Sequence, residues 1–130
     1  MDGSSGPRYT RIWADEKGVS HLEDIELPTR VVGAEPGVPV LRVADAGEAG
    51  RLQIVDIEPG SDPDWHTAPR VQFVVFLTGW VRIEAADGEH RTLPAGSVVL
   101  AEDVHGKGHM TTHEPGPQRV LVIPRQANGY

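Results

Sequence analysis

Fifteen glycines and eleven prolines cut these 130 residues into short pieces, and a chain so punctuated has no room for long helices. The pieces between the breaks are β-rich and alternate with turn signals, which points to a sandwich or barrel of short strands. Residues 9–13 and 21–27 read as edge strands, while 31–43, broken by Gly33, Pro36, Gly37 and Pro39, reads as an extended loop with short strand pieces. A strand over 51–58 is closed by Pro59-Gly60. Residues 71–77 are apolar on both faces apart from Gln72, as suits a central strand covered on both sides. In 80–85, Val81 and Ile83 alternate with Arg82 and Glu84, and Asp87-Gly88 then supplies a hairpin turn. Pro94-Ala95-Gly96 suits a turn with its glycine at positive φ, leading into strands over 97–102 and 119–123. The fold class expected is all-β, a compact antiparallel barrel or jelly roll.

The length fits one domain with its own core. A flexible leader over 1–7, a barrel over 8–126 and a C-terminal tail over 127–130 are the boundaries expected. No cysteine is present, which removes disulfides, thiolate ligands and thiol nucleophiles. The formal net charge is −7 and no basic run occurs, which argues against nucleic acid as a partner, because such binding neutralises phosphates with Lys and Arg. The longest apolar run, 71–77, is too short for a membrane span and is broken by Gln72. A cytoplasmic protein without a membrane partner is the expectation.

Alternation along an extended strand places His66, Ala68, Arg70, Gln72, Val74 and Phe76 on one face, with Pro69 marking an irregularity. An amide among apolar neighbours, as at Gln72, needs hydrogen-bond partners if buried. Gly60, His66, Ala68, Gln72 and Gly79 stand at spacings that resemble the first motif of the cupin family. Gly96, then Gly106, His109 and His113, resembles the second. The phrases Trp65-His66-Thr67-Ala68-Pro69-Arg70-Val71-Gln72 and Glu102-Asp103-Val104-His105-Gly106-Lys107-Gly108-His109 also resemble a group of small single-domain bacterial cupins. The departures are specific: Ala68 and Gln72 occupy positions where the family has a His and a Glu, and His113 stands where Asn is frequent.

The resemblance implies a cupin-type jelly-roll barrel whose two motifs face each other and hold a divalent metal such as iron, manganese, nickel or zinc. Carried over, His66 and His109 are the implied ligands and Gln72 a weak one, a set lacking the carboxylate that His-based catalytic sites favour. Without a metal, the same histidines can exchange protons near neutrality, with Gln72 orienting a substrate. Arg70, Trp65 and Gln53 are the candidate substrate-binding residues, and Arg70 can grip a carboxylate if it points inward. The expected function is a cupin enzyme working on a small polar metabolite by acid–base chemistry, of dehydratase, cyclase, isomerase or epimerase type. The alternatives are a metal-dependent oxygenase or isomerase and a non-catalytic small-molecule binder. Glu102 and Asp103 read as a surface turn, His105 and Lys107 as exposed loop residues, and His21, His90 and His113 have no partner legible in the sequence. A homodimer is implied by resemblance, with the N-terminal strands as exposed edges; a monomer in light scattering would count against it.

Overall fold

The computed structural model describes residues 6–33, 35–60 and 64–126. Within them run twelve strands: β1 (Arg8–Ala14), β2 (Ser20–Glu26), β3 (Arg30–Val32), β4 (Leu41–Val43), β5 (Glu48–Ala49), β6 (Gln53–Ile57), β7 (Gln72–Phe76), β8 (Val81–Ala85), β9 (His90–Leu93), β10 (Val98–Ala101), β11 (His109–His113) and β12 (Gln118–Gln126). There is no helix among the described residues, hence none long and apolar enough to cross a membrane. Residues 1–5 of the expected leader and the whole of 127–130 lie outside the described set. Pro7 runs alongside β2, its carbonyl accepting from Leu27 N–H at 2.9 Å.

The fold is all-β, as expected, with most of its strands in two sheets. A large sheet runs in the order β2-β1-β10-β7-β12-β5, with β6 also on β12, and a smaller sheet runs β11-β8-β9. The hairpin β3–β4 stands apart from both, which matches the extended loop with strand pieces expected over 31–43. The turns fall where the sequence puts them: Gly88 (φ 96°) joins β8 to β9, and Gly96 (φ 93°) precedes β10.

The core lies between the two sheets. From the small sheet, Val81, Ile83 and Ala85 are sealed from solvent, while Arg82 and Glu84 face outward and pair at 3.1 Å. From the large sheet come Ile12, Val99, Ala101, Phe76 and Val120. Strand β7 is apolar on both faces for two reasons. Val74 and Phe76 point between the sheets, and Phe73 and Val75 line a groove on the outer face, where the Phe73 ring meets Tyr9 edge-on at 5.3 Å.

Two expectations need correction. β1 is not an edge: it sits between β2 and β10 and pairs with β10 in parallel, Thr10 opposite Val99 and Ile12 opposite Ala101, so the ladder set is not wholly antiparallel. Thr10 and Ile12 both point inward and are buried, so withdrawing β1 would open the core along β10. In addition, no continuous strand carries residues 66–76, because the β7 ladder begins only at Gln72.

Candidate functional site

The two motif regions meet at a single rung. His66 and His109 form an isolated antiparallel bridge: His66 N–H donates to His109 O at 3.0 Å and His109 N–H donates to His66 O at 2.9 Å. Two residues after His66, Ala68 N–H donates to Asp103 O at 3.0 Å. Close backbone approach explains both glycines of the 106–108 loop, Gly108 at this rung and Gly106 against the turn between β1 and β2. A Cβ on Gly108 (φ +80°) would stand 2.0 Å from His66 O, and one on Gly106 (φ +84°) would stand 2.2 Å from Gly18 O.

Both imidazoles reach a cavity of about 140 Å³ between the sheets, which Gln72, Thr111 and His113 also line. The His66 and His109 ring centroids are 4.7 Å apart and tilted by 55°. His66 Nδ1 lies 3.0 Å from Asp64 O; since a carbonyl only accepts, Nδ1 carries the hydrogen and Nε2 presents its lone pair. His109 Nδ1 lies 2.6 Å from Asp103 Oδ2, leaving its Nε2 without a hydrogen bond to the described residues.

Asp103 corrects the surface turn expected at this position. It is fully buried, its Oδ2 takes the bond from His109, and its Oδ1 has no partner among the described residues. A buried carboxylate with a single hydrogen-bond partner is costly, and such costs concentrate at functional sites. Its position follows from strand alternation, since Val99, Ala101 and Asp103 form one inward row. Its neighbour Glu102 turns outward instead and pairs with Arg11 and, at 3.6 Å, with Arg125. The signal was present in the sequence, one residue past the end assigned to that strand.

His113 is the second residue whose place the sequence left open. It shares the inward row of β11 with His109 and Thr111, its ring centroid lies 6.1 Å from that of Phe76, and burial pushes its pKa below the ordinary 6.5. His113 is therefore a neutral donor–acceptor at pH 7.

Of the six expected site residues, the structure brings His66, Gln72 and His109 to one cavity. Arg70, Trp65 and Gln53 stay off its wall. Arg70 is exposed in the bend after Pro69, where alternation breaks down. Trp65 packs under Lys107, whose Nζ lies 4.0 Å from the ring centroid. Gln53 is exposed at the start of β6, beyond the inward Ile57. His105 and Lys107 are exposed loop residues, as expected.

The donor set does not fit a usual divalent metal centre. Ala68 faces the cavity with a methyl group, Gln72 offers a neutral amide, and the nearest carboxylate is taken up behind His109. Among the described residues no three His, Asp or Glu side chains converge as a ligand group. Two imidazoles and an amide leave an ion's charge uncompensated.

No family model matches this chain, and no curated protein matches it. Among solved structures, it is similar to the crystal structure of a protein described as ethanolamine utilization protein Q (EutQ) from Salmonella typhimurium LT2, at 17% identity over 95% of this chain and 98% of that one. The TM-score is 0.33, too slight a likeness to carry anything over to this chain.

Proposed function

We propose that this chain is a small-molecule enzyme of cupin type that moves protons with His66 and His109, on a substrate held in the cavity between the sheets. The observation that carries the reading is the buried Asp103–His109 pair at 2.6 Å, with the ring's other nitrogen turned to the cavity beside His66. A carboxylate on Nδ1 fixes the imidazole's tautomer and orientation and faces the positive charge of a protonated ring. His66, with Nδ1–H held by a backbone carbonyl, supplies a lone pair at Nε2. One ring is thus arranged to remove a proton and the other to deliver one. Both groups must lie within hydrogen-bond reach of the reacting centre, and a ring separation of 4.7 Å lets a single small molecule touch both. Gln72 forms no side-chain hydrogen bond to the described residues, so its amide is available to orient a carbonyl or hydroxyl. Isomerisation, epimerisation, dehydration and cyclisation all need this exchange of one proton for another.

Proton abstraction can be detected before the product is known. The protein is incubated in D₂O with a panel of small polar carbonyl and hydroxy compounds, and NMR follows the replacement of C–H by C–D. The wild type is expected to catalyse exchange in at least one compound. His66→Ala and His109→Ala should each slow it by about 10²–10⁴-fold, and Asp103→Asn by at least about tenfold with little change in substrate binding. Undiminished exchange in both histidine variants would overturn the reading. A compound that binds at one per chain and never exchanges would favour a binding protein.

A further inference from the structure

The charge of the cavity wall selects among substrates. All twelve Lys and Arg side chains belong to described residues, and none of them lines the cavity. Most are engaged elsewhere: Arg11 with Glu23 and Glu102, Arg119 with Asp56, Arg91 with Asp24 and Glu89, Arg82 with Glu84. Lys107 lies over Trp65, and Arg70 is exposed. The charged group nearest the wall is the buried carboxylate of Asp103, behind His109. At the far end, a second hollow of about 110 Å³ shares Ile57, Thr111 and His113 with the first, and Glu58 and Glu114 line it.

An anion entering such a wall would give up its hydration and meet no Lys or Arg, while the one cation that proton transfer creates there, the protonated His109 ring, already faces the Asp103 carboxylate. Transfer of an ionised carboxylate on those terms is unfavourable. The chain's net charge of −7 acts in the same direction at longer range. What the wall does offer is neutral polar contact: two Nε2 atoms, the Gln72 amide, the Thr111 hydroxyl and the His113 ring. These do not cluster at one point. His109 and His113 are four residues apart on one face of β11, roughly 13 Å along the strand.

From this arrangement we infer that the substrate is a small elongated molecule with no net negative charge. It is a neutral amide, hydroxy-carbonyl or similar compound, or its ammonium counterpart, whose reacting end lies at His66 and His109 and whose other polar end is read by Thr111 and His113. The inference rests on the cavity being the substrate site of the proposed function, but it concerns binding and not turnover.

Three matched fragment series test it: amides, primary ammonium ions and carboxylates on the same carbon skeletons. They are titrated into the full-length labelled protein at pH 7.5 while the ring C–H shifts of His66, His109 and His113 are followed. Amides or ammonium ions should perturb these rings, and the matching carboxylates should bind at least about tenfold more weakly, a gap of about 1.4 kcal/mol. Thr111→Lys, which puts an ammonium on the wall, should reverse the preference. Gln72→Lys serves the same purpose if that variant does not fold. Carboxylates binding as well as or better than amides in the wild type would overturn the inference, as would a panel in which no series moves the three rings. Failure of the acid–base reading looks different: selectivity would persist while D₂O exchange survived the histidine substitutions.

Discussion

At the scale of single residues, the site depends on one atom that is absent, the Cβ of Gly108. With φ at +80° and the His66 carbonyl 2.0 Å from where that carbon would be, Gly108→Ala must either break the His66–His109 rung or displace the loop. The variant is expected to lose more than about 2 kcal/mol of stability in denaturant titration. Loss within about 0.5 kcal/mol would mean that the rung is not as tight as described. Residues of this kind were the most legible in the sequence. His66, Gln72 and His109 stand at the spacings by which the chain resembles the two cupin motifs, and all three reach the cavity. Arg70 does not meet the condition set for it, an inward side chain, because the irregularity expected at Pro69 is real and the ladder starts only at Gln72. Asp103 is not the surface residue expected because the inward row of Val99 and Ala101 continues to it, past the strand end expected at Glu102.

At the scale of elements, the turn after β1, the strand β2 and the hairpin between β8 and β9 are tied together by one side chain. His21 places Nε2 2.8 Å from Asp15 and Nδ1 2.8 Å from Asp87, and its ring stacks on Trp13 at 4.8 Å. The hydrogen bond to Asp15, reinforced by Asp87, raises the His21 pKa above the ordinary 6.5, and the same bond lowers that of Asp15 below 3.8. A raised histidine stabilises the fold fully below its unfolded value and loses that contribution as pH rises through the folded one. A depressed aspartate contributes above its unfolded value and loses it as pH falls through the folded one. The cluster is therefore most stabilising between about pH 4 and 6.5. The melting temperatures of wild type and His21→Gln should differ most near pH 5.5, and the gap should narrow as pH rises above about 6.5. A gap that widens with rising pH would refute this. No local pattern hints at these ties, because Asp15 and Asp87 are brought to His21 by separate ladders. The same non-local dependence hid the inward place of His113, which is set by pairing of β11 with β8.

At the scale of the whole molecule, two sheets of unequal size close over one another, and their ladders are held in different ways. The strands of the large sheet are tied by continuous pairing across β1, β10, β7 and β12, and β8 lies between two partners in the small one. All-β architecture was legible because this scaffold needs only alternation and turns; the parallel β1–β10 pair was not, because no local pattern encodes which edge a distant strand will join. The arm that carries His66 belongs to neither sheet. Residues 64–70 are attached to β11 by the His66–His109 bridge and to the segment after β10 by the bond from Ala68 to Asp103, while the next residue, Val71, is tied to β12 through its carbonyl, which accepts from Arg125 N–H at 3.0 Å. So short a seam can part while every sheet ladder stays intact, and segments held by few bonds open at a free-energy cost well below that of global unfolding. In native-state hydrogen exchange, the amides of His66, Ala68 and His109 should lose protection well before those of Val99, Leu100 and Ile83; equal protection would show the arm locked to the sheets. If the seam opens first, the two rings that reach the cavity sit on one of the more transient parts of the described structure, and the rate at which molecules enter and leave the cavity is a property of backbone breathing and not of imidazole chemistry.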